Sequence, residues 1–206
     1  MLELLLIRHG QTDWNAQHLV MGRKPIPLNE IGLKQAEGLS QYLKNTDLRA
    51  IISSPVKRAH QTAEIVGRCH DGIAIQTDDG LAEIDYGDWI GRSFDDIESE
   101  NGELWREYHE DPTNVALPGG ERMADVSMRV AKMLKDIRLR YEDGRVALVS
   151  HADVIKVALL NLMDLDIKRI TNFSVDNCAL ILVRFHPVIG PRLIAYNAMN
   201  GFGHDL

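Results

Sequence analysis

The sequence predicts an α/β sandwich whose sheet is largely parallel. Short apolar runs alternate along the chain with segments that carry apolar residues at helical spacing, which is typical of this fold class. The chain has 206 residues, of which 45% are hydrophobic and 26% are charged, and both figures favour one compact globular domain. No repeat, low-complexity tract or linker divides the sequence. We therefore expect a single domain over residues 1–206 with one insertion, at about 85–122.

The first half of the chain predicts two strands, each followed by a helix. Residues 2–7 form an apolar run that leads towards a glycine, which is the pattern of a core strand. Asn29 is a suitable N-cap, and the apolar positions from Ile31 to Leu43 form one stripe on the helix that follows. Residues 50–52 predict a second short strand, and Ser53-Ser54-Pro55 predicts a helix start with proline in its first turn.

The second half continues the alternation after an interruption. Between residues 85 and 122, Gly, Asp, Glu and Pro are scattered among short apolar groups, which predicts a lid-like insertion of short helices and loops. The turn at 118–120 closes the insertion, and a helix is expected from Glu121. The remaining elements predicted are a strand at 146–149, a helix at 154–162, and two late strands at 180–185 and 192–196.

The charge and cysteine content limit the possible partners and the compartment. The chain has 23 Lys and Arg residues against 30 Asp and Glu residues and a formal net charge of −7, which disfavours nucleic acid and anionic membranes as partners. Cys69 and Cys178 are too few for a disulfide framework, so we expect reduced thiols and a cytoplasmic location. No apolar run approaches the about 18 residues of a membrane span, and no signal peptide is expected at the N-terminus.

Polar residues that suit a phosphate follow three of the predicted strands. Residues 8–12 come directly after the first strand, residues 54–59 lead into a helix, and residues 150–152 follow a later strand. Because the carboxyl ends of parallel strands meet at one edge of a sheet, we expect His9 and His151 to lie side by side there. Helix N-termini at the same edge would add N–H groups that suit an anion.

These residue types are suited to phosphoryl transfer. The guanidinium groups of Arg8 and Arg58 could hold one phosphoryl group from two sides. A neutral imidazole between them is a nucleophile towards phosphorus, and a second, protonated imidazole would neutralise charge on the phosphoryl oxygens. The leaving alkoxide needs a proton, which a buried carboxylic acid with a raised pKa could supply.

Four segments resemble, in order, the motifs of the histidine phosphatase superfamily, the phosphoglycerate mutase-like enzymes. The segments are 6–15 (Leu-Ile-Arg-His-Gly-Gln-Thr-Asp-Trp-Asn), 53–63 (Ser-Ser-Pro-Val-Lys-Arg-Ala-His-Gln-Thr-Ala), 81–89 (Leu-Ala-Glu-Ile-Asp-Tyr-Gly-Asp-Trp) and 149–151 (Val-Ser-His). Together they span nearly the whole chain, and their order makes the resemblance specific. The resemblance implies a three-layer α/β/α sandwich with a mostly parallel sheet.

The resemblance also implies a role for each matching position. His9 would be the phosphorylated nucleophile, and Glu83 would protonate the leaving group and then activate water. The phosphoryl group would be bound by Arg8, Asn15, Arg58, His151 and the backbone N–H of Ala152. No metal and no cofactor are expected. The residues of the 85–122 segment would set specificity, and Glu121 or Arg122 could border the substrate.

The sequence departs from the family pattern at two places. Ile90 stands where many relatives have Glu, and Ala152-Asp153 stands where many have Gly-Gly. Ala152 keeps its backbone N–H, whereas Asp153 introduces a carboxylate near an anion site. Neither departure removes a reacting group, and the sequence leaves the orientation of Asp153 open.

The function expected is a metal-independent phosphomonoester hydrolase, of the phosphatase branch, that acts on a small phosphorylated metabolite. A phosphoglycerate mutase is the alternative, and a non-catalytic phospho-ligand binding module is a weaker one, because such a module would be expected to lack His9, Glu83 or His151. The Asp164-Leu165-Asp166 sequence hints at a haloacid dehalogenase-type site, but a helix is predicted before it and Ile167 follows it, which excludes that motif. A monomer or a homodimer is expected.

Overall fold

The computed structural model describes residues 1–198, and its centre is a six-stranded mixed sheet. In sequence order the strands are β1 (Leu2–Arg8), β2 (Leu48–Ser53), β3 (Ile75–Thr77), β4 (Gly144–Ser150), β5 (Leu180–His186) and β6 (Gly190–Ala198). Their order across the sheet is β3-β2-β4-β1-β5-β6. The first four strands in that order are parallel, and β5 and β6 add an antiparallel edge. The predicted mostly parallel sheet is confirmed.

Helices fill the connections between the strands, except that a short turn joins β5 to β6. The α-helices are α1 (Asp13–Ala16), α2 (Glu30–Leu43), α3 (Lys57–Gly67), α4 (Phe94–Glu100), α5 (Gly102–Glu110), α6 (Met123–Arg140) and α7 (Ala152–Leu162), and short 3₁₀ turns lie at Asp79–Leu81, Gly87–Trp89 and Ile167–Asn172. In the part of the chain described, no helix combines the length and apolar character that a membrane crossing requires.

The alternation of side chains along the strands divides the core into two layers. Leu4 and Leu6 of β1 pack on one face of the sheet with the apolar sides of α6 and α7. Leu5 and Ile7 face the other way and pack with α2 and α3. Because successive strand residues point to opposite faces and both faces are covered, the middle of each central strand is continuously apolar, as at residues 4–7 of β1 and 146–149 of β4. The result is the three-layer α/β/α sandwich that the sequence predicts.

Several predicted element boundaries were wrong by a few residues. Asn29 caps α2 as predicted, with its side chain accepting a hydrogen bond from Gly32 N. Pro55 does not lie in the first turn of α3, because the N-cap is Val56. The helix expected from Glu121 begins at Met123, because the chain around Arg122 is still extended.

A close backbone contact holds the loop after β1 against the start of α2. A Cβ atom added to Gly10 would lie 2.5 Å from the carbonyl oxygen of Gly32, and one added to Gly32 would lie 2.0 Å from the carbonyl oxygen of Gln11. Only glycine allows the two segments to approach this closely. The contact fixes the loop that directly follows His9.

Candidate active site

Three neighbouring strands bring the predicted site residues to one edge of the sheet. Strand β1 lies beside β4, with Arg8 opposite Ser150, and β2 lies on the other side of β4. His9 follows β1 and His151 follows β4, and their ring centroids are 5.2 Å apart. The predicted juxtaposition of the two histidines is therefore observed.

The hydrogen bonds of His9 fix the state of its ring. Nδ1 lies 2.7 Å from the carbonyl oxygen of Gly10, and Nε2 lies 3.0 Å from Nε of Arg58, which can only donate. Nδ1 therefore carries the proton and Nε2 carries the lone pair. Burial, together with the charges of Arg58 and Arg8, lowers the pKa of His9 well below its usual value. His9 is a buried, neutral imidazole at neutral pH.

Arg58 is fully buried and is held by backbone carbonyl groups. Its two terminal nitrogens donate to the carbonyl oxygens of Lys24, at 3.2 Å, and Gly22, at 2.9 Å. Burial lowers the pKa of Arg58 to about 10, although the nearby carboxylate of Glu83 opposes this shift. The guanidinium therefore stays charged at neutral pH while its direction is fixed.

His151 is the N-cap residue of α7 and lies between Ser54 and Glu83. Its Nε2 is 2.8 Å from Oγ of Ser54, and its Nδ1 is 3.6 Å from Oε2 of Glu83. Burial and the charge of Arg58 lower the pKa of His151 well below its usual value. The protonated form that phosphoryl binding would use therefore needs the negative charge of a bound anion to stabilise it.

Glu83 completes the cluster as a carboxyl group with an altered acidity. Its Oε2 lies 3.6 Å from a terminal nitrogen of Arg58, and its Oε1 accepts a hydrogen bond from Ile84 N at 3.1 Å. Burial, and then the negative charge of Asp153, raises the pKa of Glu83 to about 7, against the opposing effect of Arg58. Glu83 can therefore hold or release a proton near neutral pH.

The other predicted residues line a cavity of about 370 Å³ next to this cluster. Arg8, Asn15, Glu83 and Ala152 are among its walls, whereas His9, Arg58 and His151 are almost fully buried and lie outside its lining. One terminal nitrogen of Arg8 donates to the carbonyl oxygen of Val175 at 2.6 Å. Burial lowers the pKa of this guanidinium. Ala152 is the first residue of α7, so its N–H is at the positive end of that helix.

Asn15 also has a structural role. Its Oδ1 accepts hydrogen bonds from N and Oγ1 of Thr12, both at 3.1 Å, in the capping box of α1. Nδ2 of Asn177 lies 3.4 Å from the same oxygen and 3.1 Å from the carbonyl oxygen of His9. The amide of Asn177 thus ties the Asn15 side chain to the backbone of His9.

A network of ion pairs fixes the backbone at Glu83. Arg23 donates to the carbonyl oxygen of Glu83 at 2.9 Å, and Arg129 does so at 3.3 Å. Glu121 joins the two arginines, at 2.8 Å and 3.4 Å, and accepts a hydrogen bond from Asp85 N. Glu121, which was considered as a possible substrate contact, therefore holds the Glu83 segment, while Arg122 pairs with Asp125 on the surface.

The orientation of Asp153 is now defined. Its carboxylate accepts a hydrogen bond from the hydroxyl of Tyr86 and lies 3.1 Å from Nζ of Lys156. Burial opposes ionisation of Asp153, but Lys156 and Tyr86 outweigh it and lower the pKa. Asp153 therefore lines the cavity as a paired carboxylate.

The chain matches the family model described as the histidine phosphatase superfamily (branch 1) over residues 4–198. It belongs to this superfamily. The match includes all the sequence motifs that carry the resemblance. Within residues 1–198, no group of three or more His, Cys, Asp or Glu side chains is placed to hold a metal ion.

Relatives in the superfamily carry several names. The chain is 31% identical to phosphoserine phosphatase 1 of Hydrogenobacter thermophilus over 183 residues, which covers 89% of this chain and 86% of that protein. It is 32% identical over 186 residues to a Yersinia pestis protein named as a phosphoglycerate mutase, GpmB, and covers 86% of it. Some mycobacterial relatives at 34% identity are longer, and the chain spans 50% of their length.

Solved structures agree with these relatives. Mycobacterial glucosyl-3-phosphoglycerate phosphatase, solved with VO3, superimposes with a TM-score of 0.86 at 28% identity, over 95% of this chain and 98% of that chain. The phosphoglycerate mutase-like fold predicted for this superfamily member is thereby confirmed.

Other residues of this superfamily member contact the site but were not assigned a role from the sequence. Ser54 and Tyr86 lie within recognised motifs, so their positions were signalled but their partners were not. The carbonyl groups of Gly22, Lys24 and Val175 have no sequence signal, because any residue supplies a carbonyl oxygen.

Proposed function

We propose that the protein is a phosphomonoester hydrolase that works through a phosphohistidine at His9. A dianionic phosphoryl group would be bound by Arg8, Arg58 and His151, with the amide of Asn15 and the N–H of Ala152 as further contacts. The substrate is a small phosphorylated metabolite. The alcohol part of the substrate would occupy the cavity that Glu83 borders.

Each half of the proposed reaction uses the same two groups. In the first half, the Nε2 lone pair of His9 forms a bond to phosphorus, the bond to the leaving oxygen breaks, and Glu83 gives that oxygen its proton. In the second half, Glu83 takes a proton from water, the water oxygen bonds to phosphorus, and the N–P bond breaks. The histidine and the carboxylic acid are then restored.

The observation that carries this proposal is the state of His9. Its proton is committed to the carbonyl oxygen of Gly10, and its lone pair faces the guanidinium of Arg58 at 3.0 Å. A phosphoryl group that reaches Nε2 would accept the Arg58 hydrogen bond in place of the histidine. Binding of the phosphoryl group to Arg58 would therefore also release the Nε2 lone pair of His9 to attack phosphorus.

A phosphoglycerate mutase is the second candidate, and the likeness to GpmB favours it. A mutase would use the same histidine and carboxyl group but would return the phosphoryl group to a second hydroxyl instead of water. The two functions differ only in the acceptor, so the residues of the cavity, rather than those of the histidine cluster, would decide between them.

The proposed setting of the enzyme follows from the same observations. Cys69 and Cys178 are both free, which supports the cytoplasm as the compartment. The net charge of −7 disfavours nucleic acid and anionic membranes as partners, whereas the local cluster of Arg8, Arg58 and His151 supports a small anion. A monomer or a homodimer stays a prediction.

Steady-state assays test the proposal and separate its two forms. We expect release of phosphate from p-nitrophenyl phosphate and from alkyl phosphates, unchanged by EDTA, and a loss of about 1,000-fold in His9→Asn. His60→Gln, which changes a partly exposed histidine that pairs with Glu64, is the matched control and should be fully active. A strict metal requirement would contradict the mechanism. Interconversion of phosphoglycerates that outpaces their hydrolysis would identify a mutase.

A further inference from the structure

A second cavity adjoins the cavity that Arg8, Glu83 and Ala152 line, which we call the main cavity. The main cavity has a volume of about 370 Å³, and the second has about 170 Å³. Tyr86, Phe94, Asp153 and Lys156 line both. In the proposed reaction the phosphoryl group would occupy only the part of the main cavity near Arg8, so the remaining space would be available to the alcohol part of a substrate.

Aromatic side chains form much of the wall of the second cavity, which we call the aromatic compartment. The rings of Trp89 and Trp105 are 5.9 Å apart, and those of Trp89 and Tyr108 are 5.5 Å apart. Phe94 packs against Trp105 with a ring separation of 5.7 Å and is still 45% exposed. An exposed aromatic ring at the junction of two cavities offers an apolar surface that a ligand can cover.

The charges at this junction cancel one another. Among the Asp, Glu, Lys and Arg side chains in the described part of the chain, Asp153 and Lys156 line the aromatic compartment. Nζ of Lys156 lies 3.1 Å from Oδ1 of Asp153. Tyr86 donates a hydrogen bond to the remaining oxygen of Asp153. A carboxylate or second phosphate on the substrate would meet an aromatic wall and a carboxylate there, with Lys156 already paired.

From these cavities we infer that the enzyme selects phosphomonoesters of alcohols that carry an apolar ring, over alcohols that carry a carboxylate or a second phosphate. The ring would lie in the aromatic compartment against Phe94, and the Asp153–Lys156 pair would discriminate against a second anion. This inference depends on the proposed phosphatase function. The same lining would make phosphoglycerates poor substrates, because they carry the additional anion that the compartment disfavours.

Three substrates of matched chemistry test the inference: 2-phenylethyl phosphate, ethyl phosphate and 3-(phosphonooxy)propanoate. All three are esters of primary alcohols of similar acidity, so the need for the Glu83 proton is nearly the same in each. We expect kcat/KM for the phenyl ester to exceed that for ethyl phosphate by about 10-fold or more. We expect the carboxylate ester to be the poorest substrate.

Two variants then separate the apolar and the electrostatic contributions. Phe94→Ala should lower the phenyl-to-ethyl ratio of kcat/KM by about 5-fold, because it removes the exposed ring at the junction. Asp153→Asn should free Lys156 and raise the ratio for the carboxylate ester over ethyl phosphate by about 10-fold. Tyr42→Ala is the control and should change neither ratio, because it removes an exposed aromatic ring that lies on α2 and not in the lining of either cavity.

The outcomes distinguish this inference from the proposed function. If the wild-type enzyme hydrolyses none of the three esters, both the function and the inference are contradicted. If it hydrolyses them but prefers the carboxylate ester, or if neither variant moves its ratio, the inference alone is wrong. Using ratios cancels any effect of Asp153→Asn on the acidity of Glu83, since both substrates depend on that group alike.

Discussion

The strand-end cluster of Arg8, His9, Arg58 and His151 and the aromatic compartment are adjacent but are built in different ways. In the cluster, protein contacts fix the side chains, and His9, Arg58 and His151 are at most 1% exposed. In the compartment, the short helices α4 and α5 supply part of the aromatic wall, α7 supplies Asp153 and Lys156, and Phe94 is 45% exposed.

This difference indicates that the two regions have different roles. Residues of the cluster are buried and held by several contacts, which suits chemistry that needs the nucleophile in a fixed position. Residues on short peripheral helices can change without disturbing the sheet, which suits the choice of substrate. Substitutions in the cluster should therefore change the chemical step, whereas substitutions in the compartment should change the choice of substrate.

The largest expected effect comes from removing the proton donor. Glu83→Gln should reduce kcat/KM for alkyl phosphates by about 1,000-fold, because an alkoxide is a poor leaving group without a proton. The loss of kcat/KM for p-nitrophenyl phosphate should be far smaller, since nitrophenolate leaves readily without one. Steady-state kinetics on both substrates provide the measurement. Equal losses on the two would remove Glu83 from the role of general acid.

The pH dependence of the wild-type enzyme should report the same group. The pKa of Glu83 is about 7, so the acid form is lost as the pH rises through that value. We expect kcat/KM for ethyl phosphate to fall by about 10-fold per pH unit above this point. The lowered pKa of His9 keeps the nucleophile neutral across the same range. A profile for Glu83→Gln that retains the decline would assign it to another group.

A smaller effect is expected at Glu121, which positions Glu83 through Arg23 and Arg129. Glu121→Gln should lower kcat for ethyl phosphate by about 10-fold and affect p-nitrophenyl phosphate less, because it loosens the proton donor. Arg122→Gln is the matched control, because the side chain of Arg122 pairs with Asp125 on the surface rather than with Glu121. If both substrates lose activity equally, Glu121 has a general structural role instead.

The smallest expected difference concerns stability. Ile51 in β2 and Ile97 in α4 are both 0% exposed. Ile51→Ala should lower the free energy of unfolding by about 4 kcal/mol, and Ile97→Ala by about 3 kcal/mol, because a short peripheral helix can shift to fill part of the cavity. Denaturant unfolding of the two variants provides the comparison. A larger loss for Ile97 would contradict the view that the sheet is the more rigid region.

The sequence predicted the strand-end cluster well because its signals are local. Motifs such as Arg8-His9-Gly10 directly follow an apolar run, so the topology of a parallel sheet is enough to bring His9 and His151 together. The apolar runs at 2–7 and 146–149 predicted β1 and β4 because such runs are also local signals. The short strand β3 was missed because its three residues are partly exposed and carry no apolar run.

The compartment could not be predicted, because its walls depend on contacts between distant segments. The pairing of Tyr86 on one segment with Asp153 on α7 joins residues far apart in the sequence. The insertion at 85–122 folds into a 3₁₀ turn and two short helices, and its lid-like character stays a prediction. The ion pairs of Glu121 likewise appear only when three segments come together.

The most direct test of this account is to trap the phosphorylated protein. Labelled p-nitrophenyl phosphate, whose leaving group needs no proton, is mixed with Glu83→Gln, in which breakdown of the intermediate should be slow, and the protein is denatured in alkali. We predict a phosphoryl label that is stable in alkali, is lost in acid and maps by mass spectrometry to His9. A label on another residue, or one that persists in His9→Ala, would contradict the account.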